Sequence, residues 1–341
     1  MRFVAVDAFF HPAILLVAGS CVAILLAVGG ARVMDGSASL GSFVAFASYL
    51  GMLTWPMIAA GWMLTLVQRA SASMDRINAL LHTREEAGRR SGSADVPIKG
   101  LIEVRALTFS YPGQPGPALR DLSFRTEAGG ALGLGGEVGS GKSTVVQLLG
   151  RLYDPPAGTL FLDGRDVLDI PLDDLRRAIA YVPQEAFLFS DTIAENLRLA
   201  KADAADDELR EVCSRAALHE EIQAFPRGYE TLLGERGITL SGGQKQRLCL
   251  ARALLKPAPI LVLDDTLSAV DSRTERKILR ELRSVAGIRT LVVISHRVSA
   301  VRDLDRILCL RRGAVIQAGT HAELSSVPGF YRDMVELQEE E

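Results

Sequence analysis

Between Ala13 and Val67 the chain is almost continuously apolar, and the only charged residues there are Arg32 and Asp35. The stretch AILLVAGSCVAILLAVGG (13–30) is long enough for a helix that crosses a hydrocarbon core of about 30 Å, which takes ~20 residues. A second run, from Leu40 to Val67, also qualifies, and no clear helix stop follows before about Leu81. At 1.5 Å per residue this run measures about 60 Å, roughly twice the core, so the second helix is expected to project into the cytoplasm. A kink is expected at Pro56, where proline removes a helical hydrogen bond. A cleavable signal peptide would explain Arg2 and the small residues near Gly30, but not the second span. The loop GGARVMDG carries one Arg whereas QRASASMDRI carries Arg69 and Arg76, which orients that end towards the cytoplasm.

The segment HTREEAGRRSGSADVPIKG is charged, rich in Gly and Ser and without apolar periodicity, which marks residues 83–99 as an exposed linker. Beyond it, strand-like runs (LIEVRALTF, ALGLGG, IAYVPQ, ILVLDD, TLVVIS) alternate with helical patterns (STVVQLLGRL, GGQKQRLCLARALL, SRTERKILRELRSV). Such alternation predicts an α/β domain with a mostly parallel sheet covered by helices, and ligands then bind at the carboxyl ends of the strands.

Composition changes this picture little. The 341 residues carry a formal charge of −3, which speaks against a nucleic-acid partner. Cys21, Cys213, Cys249 and Cys309 show no C-x-x-C spacing, so neither a metal site nor a disulfide framework is indicated.

The candidate chemistry begins at GEVGSGKS (136–143), which matches G-x-x-x-x-G-K-[ST] between a strand and a helix. In Gly136, Glu137, Val138, Gly139, Ser140, Gly141, Lys142, Ser143 and Thr144 the glycines let backbone N–H groups close around phosphate oxygens. Lys142 reaches the outer phosphates and Ser143 can ligate Mg²⁺. A Gly-rich turn is the plain structural alternative. LVLDD then places Asp264 and Asp265 side by side at the end of a buried strand, where two carboxylates repel unless a cation lies between them. Asp264 can hold Mg²⁺ beside Ser143, directly or through water. These residues support a nucleotide triphosphatase using ATP and Mg²⁺.

LSGGQ (Leu240, Ser241, Gly242, Gly243, Gln244) opens a helix with a good N-cap and uncovered N–H groups, a second anion site. Together with the phosphate loop and LVLDD, residues 100–341 resemble the ATP-binding cassette (ABC) transporter family. The resemblance implies a nucleotide-binding domain with a parallel core, a helical subdomain and N-terminal antiparallel strands. It implies that Tyr111 stacks on adenine, that Gln184 senses Mg²⁺ and the attacking water, and that His296 contacts the γ-phosphate. It also makes Asp271 in SAVD (268–271) a contact to a partner cassette and GERG (234–237) a coupling loop. Importer ATPases normally lack fused membrane helices, so the two spans point to the exporter type.

Residues 1–82 resemble the end of an exporter half-transporter's membrane domain. Such chains carry six spans, so Met1 is expected near the start of the fifth. The resemblance places the chain in a cell membrane, multi-pass and in contact with lipid, with drug or lipid-like cargo; Tyr49, Trp55 and Trp62 are lining candidates, but packing against lipid or a neighbouring helix is the favoured reading of them. A nucleotide-binding remnant or regulatory subunit is the alternative.

The family orients its attacking water with a glutamate after the Mg²⁺ aspartate; here that position is Asp265. Aspartate withdraws the carboxylate by more than about 1 Å, and such a misplacement can cost on the order of 100-fold in rate. The expectation is a chain whose own site hydrolyses ATP poorly, paired with a glutamate-containing partner in a heterodimer, a homodimer being the alternative.

Overall fold

Each apolar run forms one helix in the computed structural model, which describes residues 16–82, 97–234, 240–286 and 289–339. The chain divides into two compact units, Met1–Ala87 and Gly88–Glu341. In the first, α1 (Leu16–Met34) and α2 (Leu40–Leu81) are both long and apolar enough to cross a membrane. α1 runs past the expected end at Gly30. Gly29 and Gly30 both adopt right-handed helical angles, and the helix stops only where Gly36 takes φ +80°, a conformation that costs glycine no Cβ clash. Its stretch Leu25–Gly29 has π-helical bonding. Ser39 starts α2, its hydroxyl accepting from the Ser42 N–H at 3.1 Å, and the helix continues through Pro56.

In the second unit the strands form two sheets. A four-stranded antiparallel sheet comprises β1 (Ile102–Phe109), β2 (Leu119–Thr126), β4 (Leu160–Leu162) and β5 (Arg165–Asp166) in the order β2-β1-β4-β5. The six-stranded sheet comprises β3 (Ala131–Gly136), β6 (Ile179–Val182), β7 (Ile260–Asp264), β8 (Thr290–Ile294), β9 (Arg306–Arg311) and β10 (Ala314–Gly319) in the order β10-β9-β3-β8-β7-β6. All neighbours in it run parallel except β9 and β10.

The unbroken apolar runs of β7 and β8 follow from burial on both faces. Ile260, Val262, Val292 and Ile294 pack between the two sheets, against β1, β2 and the helix α3 (Lys142–Leu149). Leu261, Leu263, Leu291 and Val293 face the opposite way, into a core shared with α4 (Asp206–Arg215), α5 (His219–Gln223) and α6 (Gly242–Leu255). Two further helices complete the elements used below, α7 (Ser272–Ala286) and α8 (Phe330–Glu339).

Candidate nucleotide site

β3 delivers the phosphate loop to the carboxyl end of the sheet, and the glycines there are set by close approach. A Cβ on Gly136 would collide with the Leu310 carbonyl oxygen of the neighbouring strand. Gly141 has φ +103°, and a Cβ on it would lie 2.7 Å from Leu119 Cδ2 and 2.9 Å from the Ala118 carbonyl. A side chain fits neither backbone. The loop closes over Ser140, whose carbonyl accepts from the Gly313 N–H at 3.0 Å, and α3 begins at Lys142 with Ser143 and Thr144 in its first turn. Val138 is fully exposed at the tip, while the Glu137 carboxylate pairs with Arg311 at 3.1 Å.

Lys142 Nζ donates to the carbonyls of Gly136 (2.9 Å) and Glu137 (2.8 Å) and lies 3.4 Å from Ser140 Oγ. Burial lowers its pKa, and the nearby Asp265 and Asp264 charges oppose that. The loop and Tyr111 border a cleft of about 400 Å³. The Tyr111 ring packs edge-on against Phe109 and Tyr153, with centroids 5.2 and 5.0 Å away. Its hydroxyl donates to Gln147 Oε1 at 2.7 Å and sits 2.9 Å from Thr144 Oγ1. The aromatic wall of the cleft is thus tied to the helix that carries the phosphate loop.

Asp264 ends β7, buried, with Oδ1 accepting from Ser143 Oγ at 3.2 Å and Oδ2 accepting from the Tyr181 hydroxyl at 3.1 Å. Burial pushes its pKa up against the pull of these two donors. Asp265 follows with φ +47°, a left-handed backbone that aspartate tolerates better than most residues. Its Oδ1 is buried without a hydrogen bond; His296 Nδ1 lies 3.0 Å away, but out of line for donation. A hydroxyl and a buried carboxylate 3.2 Å apart are a donor set suited to Mg²⁺, which prefers hard oxygen ligands and keeps several waters. No cluster of three or more His, Cys, Asp or Glu side chains suited to a metal occurs among the described residues, so phosphate oxygens and water would complete the shell. Gln184 lies on an exposed bend just after β6, at the same sheet end.

The LSGGQ segment forms a separate feature. Leu240 is buried, and Ser241 caps α6 in a reciprocal box: Gln244 N–H donates to Ser241 Oγ at 3.2 Å and Ser241 N–H to Gln244 Oε1 at 2.9 Å. Gly242 is exposed at the helix end. Gly243 has no room for a side chain, since a Cβ would lie 2.8 Å from the Ala269 carbonyl. Gln246 spans the same gap, donating to Ser268 Oγ at 3.2 Å and accepting from the Ala269 N–H at 3.0 Å. SAVD is therefore packed onto the start of α6. Asp271 Oδ1 accepts from the N–H groups of Arg273 (3.1 Å) and Thr274 (3.0 Å), which holds its pKa down and caps α7. Of GERG, residues 235–237 lie outside the described residues.

Sequence reading missed four supporting side chains. Glu221 accepts from Gln244 at 2.8 Å and from the two terminal Arg247 guanidinium nitrogens, Nη1 and Nη2, at 2.7 and 3.1 Å. Arg297 donates to the carbonyls of Ser268 (2.6 Å) and Val270 (3.1 Å). Gln338 on α8 donates to the His296 carbonyl and accepts from the Val298 N–H, each at 2.8 Å. Tyr181 is the fourth; its position in IAYVPQ, next to a strand ending in carboxylates, is the signal that could have found it.

A family model described as "ABC transporter" matches residues 119–268. A multidrug resistance-like ATP-binding protein of Escherichia coli is 42% identical over 99% of this chain and 57% of its own length. A probable multidrug resistance ABC transporter ATP-binding/permease protein of Bacillus subtilis is 39% identical over 99% of the chain and 58% of its own length. An ATP-dependent lipid A-core flippase of Thiobacillus denitrificans is 38% identical over 99% and 58%. Among solved structures, a bacterial Atm1-family ABC exporter with ATP bound superposes with a TM-score of 0.74 at 34% identity, over 96% of this chain and 57% of that one. The chain thus spans under three fifths of the length of these relatives.

Proposed function

The chain belongs to the ABC transporter family, and from that premise we propose that it is the ATP-binding part of an exporter half-transporter whose own site holds ATP and hydrolyses it slowly. The observation that carries this reading is the convergence of Ser143 and Asp264, 3.2 Å apart across the phosphate loop and the end of β7, beside a cleft walled by Tyr111.

In this reading adenine lies against Tyr111, the N–H groups of residues 137–144 surround the phosphates, and Lys142 turns from its loop carbonyls to the outer phosphate oxygens. Ser143 and Asp264 hold Mg²⁺, with Gln184 nearby. The ion, when bound, neutralises charge on the phosphates. His296 faces the γ-phosphate. Asp265 occupies the place from which a carboxylate would orient water, but its shorter side chain sets the oxygen back by more than about 1 Å, enough to cost on the order of 100-fold. The capped α6 presents Ser241, Gly242, Gly243 and Gln244 to ATP on a partner cassette, with Asp271 at the same interface. A heterodimer whose partner carries glutamate at this position uses both halves: this chain completes the competent site while its own retains nucleotide. Binding and hydrolysis there would drive outward transport of a drug-like or lipid-like molecule across a cell membrane.

The chain assembled in membranes with its partner tests this in one preparation. Nucleotide retained at this chain after a single turnover of the partner's site supports the reading, as does transport that requires the partner's glutamate. ATP binding without any partner association or transport supports instead a nucleotide-binding subunit with no transport role.

A further inference from the structure

Tyr181 lies on β6, whose parallel register sets it beside Val262 on β7, two residues before Asp264. From there the side chain reaches along the strand, and its hydroxyl donates to Asp264 Oδ2 at 3.1 Å. The other oxygen, Oδ1, faces Ser143 Oγ at 3.2 Å. A carboxylate attached to a strand end can still rotate about χ2, and two donors on its two oxygens remove that freedom.

Resting on the reading that Asp264 and Ser143 hold a divalent cation, we infer that Tyr181 is a positioning residue for that cation, fixing Oδ2 so that Oδ1 stays turned towards Ser143. Tyr181 also borders a groove of about 490 Å³ with Phe189, Cys249 and Arg252, where its ring contributes to the lining. Tyr181→Phe therefore removes the hydroxyl and leaves the ring in place.

The test uses the full chain in detergent and trinitrophenyl-ATP fluorescence, first in EDTA and then along a Mg²⁺ titration. Tyr181→Phe is expected to bind the nucleotide without metal as the wild type does, which also shows that it is folded. The Mg²⁺ concentration giving half of the metal-dependent change should rise about tenfold, as loss of a hydrogen bond to a metal-ligating carboxylate generally does. Asp264→Asn should raise it at least as far. A wild-type Mg²⁺ curve for Tyr181→Phe, with Asp264→Asn shifted, overturns the inference and leaves the cation reading standing. Equal weakening with and without Mg²⁺ also overturns it, because the hydroxyl would then be supporting the fold. If the wild type binds the nucleotide with no response to Mg²⁺, the cation reading itself fails and takes the inference with it.

Discussion

Asp265 Oδ1 lies 3.0 Å from His296 Nδ1 yet makes no hydrogen bond, so a buried carboxylate oxygen is left beside the His296 ring without a donor. A buried acceptor left unpaired costs about 1–3 kcal/mol, which the fold tolerates where a site needs that oxygen for something else. If the missing reach of Asp265 limits hydrolysis, Asp265→Glu in the assembled transporter should raise the turnover of this site by up to about 100-fold. Asp265→Ala should change total ATPase little. An Asp265→Ala loss as complete as that from removing the partner's catalytic glutamate sinks the weak-site reading.

One substitution separates the capping of α6 by Ser241 from its proposed contact to ATP on a partner cassette. The Ser241 hydroxyl accepts the Gln244 N–H and caps α6, so Ser241→Ala should lower the unfolding free energy of the chain by about 1 kcal/mol, read from denaturant melts. ATP binding at this chain's own loop should be unchanged, whereas hydrolysis by the partner's site should fall sharply. Equal losses at both sites would show that the cap acts only through stability.

The left-handed backbone at Gly141 makes Gly141→Ala a test of the phosphate loop. Strain of about 1–3 kcal/mol, with a methyl pressed against Leu119 and Ala118, should distort the cradle. Nucleotide affinity measured by equilibrium titration should fall at least tenfold, the equivalent of about 1.4 kcal/mol. Unchanged affinity would mean that the loop is not the phosphate site.

Glu275 is almost fully buried at 1% exposure on α7, with Oε1 unpartnered and Oε2 accepting from Ser299 at 3.1 Å. Burial raises its pKa despite Ser299 and Arg297. A carboxyl raised in the folded state favours folding while protonated, fully below its unfolded value of 4.5, and loses that benefit as pH rises through the folded value. Glu275→Gln mimics the protonated form. Its melting temperature should exceed the wild type's near neutral pH, and the difference should shrink towards zero near pH 4. A variant less stable than wild type at neutral pH would show that the Arg297 pairing outweighs burial.

Much of this was legible in the chain because the physics involved is local. The apolar runs of α1 and α2 need no partner to be recognised, and β3, β7 and β8 stand out as unbroken apolar stretches because both of their faces are buried. The strands β9 and β10 were harder to read. One begins and ends on exposed arginines, and the other is a partly exposed edge strand with weak alternation. The glycines of the phosphate loop announce themselves by spacing, since only a side-chain-free backbone can turn so tightly at Gly136 and Gly141.

By itself the sequence determined two apolar helices, a phosphate loop between strand and helix, a capped LSGGQ helix and two adjacent aspartates, because each is a pattern of neighbouring residues with its own chemistry. Only the tertiary structure decided how those parts are held. Tyr181 meets Asp264 across 83 positions, Gln338 ties the His296 loop across 42, and Glu221 anchors Gln244 across 23. Contacts at such separations leave no periodicity in the chain; they exist because parallel strands and packed helices bring together residues that the sequence keeps apart.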